Sequence, residues 1–163
     1  MPATALAETE TRFRSDPSSA RSTPTVTATL ANGRARLSTG PFNWDADLPT
    51  ALGGENLAPS PTAYLLGALA GCGVAFIHDT LAPQFGVTIT DITAVARCTS
   101  DTRGLLGMDG VAPDLADIGL EITVTSPDPE TRVAPMLRAW EERCPIYLAM
   151  RNPNQIALST RIA

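Results

Sequence analysis

Apolar and polar positions change their period several times along the chain, and each change marks an element. Residues 1–23, rich in Ala, Thr, Ser, Pro and Arg, show no period and read as a disordered or loosely attached arm. From Pro24 the pattern turns strand-like. Thr25 to Leu30 is β-branched, Asn32-Gly33 is a strong hairpin turn, and Arg34 to Thr39 alternates as the return strand. A third short strand is expected over Phe42 to Asp47, then a loop from Leu48 to Pro59 containing Gly53-Gly54. Ser60 is a good N-cap and Pro61 suits a first helical position. The run Thr62 to Leu81 is apolar on nearly every face, as in a central buried helix, and Pro83 and Gly86 are expected to stop it. Gly67, Gly71 and Gly73 weaken that helix, at about 1 kcal/mol each relative to Ala, which close backbone approach would justify.

Val87 to Thr99 predicts a long strand with Ile92, Ala94, Ala96 and Cys98 on one face. A glycine-punctuated loop covers Ser100 to Asp117. Ile118 to Thr125 alternates, with Ile118, Leu120, Ile122 and Val124 inward. A second helix is expected from Glu130 or Val133 to Arg143, and Cys144-Pro145 opens a short third helix to Met150. Asn152-Pro153-Asn154 reads as a turn and Ile156 to Ile162 as a last strand. The sum is an α+β domain over residues 24–163 with mostly antiparallel pairing.

Composition narrows the chemistry. The chain has 163 residues, enough for one domain, with twelve basic and seventeen acidic side chains. That mild acidity argues against nucleic acid or an anionic membrane as partner. All twelve basic residues are arginines, so Schiff-base chemistry and the P-loop are excluded. With one histidine, His78, serine triads and most His-built metal sites are poor candidates. His78 lies six residues after Cys72, on another side of the helix, and reads as a hydrogen-bonded helix-end residue. The start carries Glu8 and Glu10 and has no apolar signal core. No window of about 18 residues is apolar without Gly, Pro or charge. The simplest location is the cytoplasm, where cysteines stay reduced.

The three cysteines are spaced for neither a disulfide scaffold nor a CxxC zinc site. Taken alone, Cys72 in its apolar helix reads as a small core hydrophobe, whose burial would raise its pKa. Cys144 has two readings. It is a helix-breaking Cys-Pro step, or an N-cap where free backbone N–H groups favour thiolate, with Arg143 adding charge. Cys98 reads as a buried strand residue. Trp44, Trp140, Tyr64 and Tyr147 read as packing residues, and Arg34 and Arg36, taken alone, as solvated hairpin residues.

The segment Gly53-Gly54-Glu55-Asn56-Leu57-Ala58-Pro59-Ser60-Pro61, followed by Leu65 to Cys72, resembles the OsmC/Ohr family. There a GG…(N/S)P loop leads into a central helix bearing a reactive cysteine. Glu141-Glu142-Arg143-Cys144-Pro145-Ile146 resembles its second Cys-Pro motif, and Asp101 to Gly107 a loop of some uncharacterised branches. The resemblance covers about residues 25–163. It implies an OsmC-like fold, antiparallel sheets wrapped around a long central helix, in an intertwined homodimer.

It also implies a peroxidase cycle without metal or organic cofactor. Cys72 would attack an organic hydroperoxide and become a sulfenic acid, Cys144 would resolve it as a disulfide, and an external dithiol would reduce the pair. An apolar pocket lined by the Cys72 helix would favour alkyl or lipid hydroperoxides. The family activates its thiol with an arginine held by a glutamate. Arg34 matches that arginine best, Arg36 second. The glutamate's position, directly after the proline, is Thr62 here, leaving Glu55 or Asp79 as replacements. Two other readings follow from the same residues. A divergent module binding an apolar ligand is favoured by Thr62. A redox-sensing dimer is favoured, like the enzyme, by the two motif cysteines.

Overall fold

The structure, a computed structural model, describes residues 2–152 and 155–162. It divides into two compact units. One holds the chain up to Ala68 with Arg97–Asp117; the other holds Leu69–Ala96 with the chain from Ile118 onward.

In the first unit, α1 (Pro2–Ser15) precedes a 3-10 turn at Pro17–Ala20, capped by the Asp16 carboxylate accepting from Ser18 N–H. This differs from the irregular arm expected there. Ala, Leu, Glu and Arg are strong helix formers, and Glu8/Arg12 and Glu10/Arg14 fall at the supportive i,i+4 spacing. With no buried face to create a period, propensity alone makes the helix.

The three strands β1 (Thr27–Ala31), β2 (Arg34–Thr39) and β3 (Phe42–Ala46) form an antiparallel sheet in that order. Asn32 and Gly33 both take positive φ, 52° and 78°, which the tight hairpin turn demands. The register sets Arg36 opposite Asp45, and their side chains pair at 3.0 Å. The loop after β3 contains a short 3-10 turn, Thr50–Leu52. Ser60 Oγ then accepts from Ala63 N–H at 3.2 Å, capping α2 (Pro61–Phe76) as its sequence predicts.

The second unit takes up α2 from Leu69. The helix passes through a widened π turn, Ile77–Leu81, into α3 (Ala82–Phe85), and ends at Gly86 with φ 61°. Pro83 therefore does not stop it. A proline lacks its N–H and crowds the carbonyl four residues back, and the wider turn just before it relieves that conflict.

β4 (Asp91–Thr99) pairs with β5 (Ala116–Thr125), with α4 (Thr102–Leu105) in the intervening segment. Along β4 the burial alternates as expected, with Ile92, Ala94, Ala96 and Cys98 on the less exposed face. In β5, Leu120, Ile122 and Val124 are half-buried, but Ile118 at the strand's start is exposed.

α5 (Glu130–Arg143) and α6 (Pro145–Arg151) complete the unit. Its core joins Ile77 and Leu81 to Met136, Ala139, Trp140 and Cys144. Each large side chain fully removed from water there contributes about 1.5–3 kcal/mol. A Cβ at Gly73 would meet Ile122 Cδ1 at 3.2 Å and Ala94 Cβ at 3.4 Å, so the helix sits close on these strands there. At Gly67 and Gly71 the space is open.

Two further expectations differ from the structure. Within α2 only Leu69 and Gly73 are buried, so the helix is not enclosed within one chain. No strand forms over 156–162. Ile156, Leu158 and Ile162 alternate as a strand would, yet all are exposed, and a strand needs a ladder partner for its backbone groups. Pro153 and Asn154 of the expected turn lie outside the described residues. The helical stretch Pro61–Phe85 is long and apolar enough, at mean hydropathy 1.5, to cross a membrane by length and composition. A core helix passes the same test, and Ile77 and Leu81 spend their apolar surface on α5.

Candidate functional site

Cys72 lies on the last turn but one of α2, and Cys144 at the junction of α5 and α6. Though 72 residues apart, their sulfurs stand 2.8 Å from each other, both as free thiols. Cys144 is fully buried and is the N-cap of α6; its Sγ accepts from Tyr147 N–H at 3.5 Å. The neighbouring N–H of Ile146 donates to Cys72, so the first turn of α6 points two amides at the sulfur pair. Arg143 is exposed to solvent.

The Cys72 thiol is pushed up to about 12, first by burial and then by Cys144 as hydrogen-bond partner and neighbouring charge. The Ile146 amide acts the other way, by stabilising the thiolate. Left to this unit's own groups, Cys72 is therefore protonated at neutral pH.

Sequence reasoning missed the support around the pair. Trp140 Nε1–H donates to the Cys72 carbonyl at 3.2 Å, and its ring lies 5.3 Å from that of Tyr147. Trp140 and Cys144 share a face of the second helix by i,i+4 spacing, which was the available signal. A cavity of about 250 Å³ in this unit is lined by Leu69, Ile118, Leu120, Tyr147, Met150 and Arg151. From α2 only Leu69, one turn before Cys72, lines it, and Cys72 itself does not.

In the first unit, Arg34 at the start of β2 pairs with Glu55 at 3.1 Å. The guanidinium side is largely buried, and Arg34 Nε is fully buried and has no hydrogen-bond partner among the described residues. Arg36 is more exposed and committed to Asp45. Asp79 pairs with His78 at 2.7 Å, both exposed. Arg34 also lines a cavity of about 450 Å³ with Leu30, Asp47, Leu48 and Leu52.

Asp47 was likewise missed. Backbone N–H groups, that of Leu57 foremost, hold its carboxyl below the ordinary Asp range against the opposing effect of burial. A carboxylate at a strand end ahead of a Gly-Gly loop was the sequence signal. Cys98 is half-buried on β4, and no group of three or more metal-ligating side chains occurs among the described residues.

An α+β scaffold carrying two apposed thiols defines a dithiol protein. A model of the OsmC-like protein family matches residues 53–159, from the Gly-Gly loop through the Cys-Pro motif, and the chain belongs to that family. Comparison with curated protein sequences finds no match. Solved structures show the same fold. An OsmC-like protein from Mycoplasma pneumoniae is 23% identical with a TM-score of 0.65, over 80% of this chain and 88% of that one. An organic hydroperoxide resistance protein OsmC from Legionella pneumophila is 17% identical with a TM-score of 0.56, over 80% and 90%. The organic hydroperoxide resistance protein OhrB of Bacillus subtilis is 19% identical with a TM-score of 0.51, over 80% and 91%.

Proposed function

We propose that the protein is a cytoplasmic thiol peroxidase that reduces organic hydroperoxides. The observation that carries the reading is the 2.8 Å approach of Cys72 and Cys144 Sγ. The Cys72 thiolate attacks the distal peroxide oxygen, the O–O bond breaks, and the alkoxide takes a proton and leaves as an alcohol. Cys72 is left as a sulfenic acid. Cys144 thiolate then attacks the Cys72 sulfur, displacing hydroxide and closing a disulfide, and an external dithiol restores both thiols by exchange. Arg34, held by Glu55 in place of the family's glutamate, supplies the cation that draws Cys72 to its thiolate. The largely buried Arg34 guanidinium and its Glu55 partner support that assignment.

Intact mass after one equivalent of cumene hydroperoxide tests the cycle. The wild-type chain is expected to lose two hydrogens, mapped by digest to Cys72 and Cys144. Cys144→Ser is expected to stop at a sulfenic acid on Cys72 that dimedone traps. Thiols untouched by peroxide would sink the proposal and leave the apolar-ligand module, which the raised Cys72 thiol favours.

The same reading includes a homodimer. One chain leaves α2 half-exposed, with open space at Gly67 and Gly71, and leaves Ile156, Leu158 and Ile162 in water. A second copy of the same chemistry would cover them. Light scattering is expected to give twice the 17.1 kDa chain mass; a single-chain mass at micromolar concentration would refute it.

A further inference from the structure

We infer that Asp47 is a positioning residue, whose carboxylate pins the loop from Leu48 to Leu57 so that Glu55 can hold Arg34. The inference deepens the reading in which Arg34 activates the thiol, and rests on it for its functional meaning. Asp47, at the end of β3, is 8% exposed. Its Oδ1 accepts from Leu48 N–H at 2.8 Å; its Oδ2 accepts from Glu55 N–H at 3.2 Å and Leu57 N–H at 3.0 Å. One side chain therefore ties together both ends of the loop; its hydrogen bonds go to backbone N–H groups, and its charge adds a smaller direct attraction to Arg34.

The loop between is laid tightly over the chain it leaves. Asn56 N–H reaches Leu48 O at 3.1 Å, and Gly54 N–H reaches Pro49 O at 3.3 Å. At Gly54 a Cβ would collide with Leu48 O and fall 2.8 Å from Asp47 Oδ1, so no other residue fits without moving the loop. Glu55 itself is mostly exposed, and its grip on Arg34 is one 3.1 Å contact. Such a pair in water is weak unless its members are held in place. What holds Glu55 is its own N–H on Asp47.

The test reads Arg34 directly. Phenylglyoxal modification of Arg34, followed by peptide mass, reports how well the guanidinium is masked, with Arg103 as internal control. Glu55→Gln is expected to speed Arg34 modification about three- to fivefold, the effect of releasing one ion pair at the solvent edge. Asp47→Asn keeps the volume of Asp47 but sets an amide against the backbone donors. It is expected to match Glu55→Gln, and the double variant to go no further. Gly54→Ala forces the loop and the Asp47 carboxylate apart while keeping the carboxylate itself, and is expected to do likewise. The inference is overturned if Arg34 reacts at the wild-type rate in both Asp47→Asn and Gly54→Ala. It is equally overturned if the Asp47→Asn and Glu55→Gln effects multiply in the double variant. Wild-type chain that turns over no hydroperoxide would count against the peroxidase reading alone, because the Arg34 readout needs no turnover.

Discussion

A Cys72→Ser chain is expected to lose cumene hydroperoxide turnover by on the order of a thousandfold or more, down to the uncatalysed background. A serine hydroxyl at that position offers neither the nucleophilicity of a thiolate nor a sulfenic acid for Cys144 to resolve. Coupled consumption of hydroperoxide with a dithiol measures the effect, and Cys98→Ser serves as the comparison, since Cys98 lies on β4 outside the apposed pair. Retained turnover in Cys72→Ser would end the peroxidase reading.

Substituting Arg34 is expected to have the next largest effect. Burial and Cys144 raise the Cys72 thiol to about 12, so a cation must lower it before the thiolate is appreciable at neutral pH. At a pH well below its pKa, a thiol gains about tenfold in thiolate for every tenfold rise in its acidity. A guanidinium that makes Cys72 about a hundredfold more acidic is therefore worth about a hundredfold in thiolate, and Arg34→Ala is expected to be slower by that factor at pH 7. The sign with pH follows. Below the Cys72 pKa values of both chains, each gains about tenfold in thiolate for every pH step of one, so the gap stays near a hundredfold and closes only once the wild-type thiol itself has titrated. Arg34→Lys is expected to fall between the two, keeping the charge and losing the fork that suits Glu55. A pH profile of Cys72 alkylation that is the same in Arg34→Ala and in wild type would mean that Arg34 acts on something other than the thiol's protonation.

Much of this architecture was legible because its signals are local. The Asn32-Gly33 turn, the Ser60-Pro61 helix start and the Cys144-Pro145 junction each rest on the conformational demands of a few neighbouring residues, and each lies where the pattern set it. The elements that differ lack that kind of signal. α1 has propensity without periodicity, and the π turn before Pro83 depends on how a helix accommodates a missing donor. The tail at 156–162 has a strand's alternation, yet pairing depends on what lies beside it, which no single segment encodes.

The same division runs through the site. The two motif cysteines stood out by their neighbours in sequence. The Arg34–Glu55 pair spans 21 residues and was only one of several pairings open to the hairpin arginines. Asp47 and Trp140 act through backbone groups of other residues, so their side-chain types alone do not announce the role.

The indole of Trp140, hydrogen-bonded to the Cys72 backbone and tilted against the Tyr147 ring, gives the molecule its own optical gauge. The chain contains just one other tryptophan, Trp44, in the separate β3 strand. With Trp44 changed to phenylalanine, the remaining emitter sits beside the sulfurs, and its brightness becomes a dye-free record of their oxidation, read in real time.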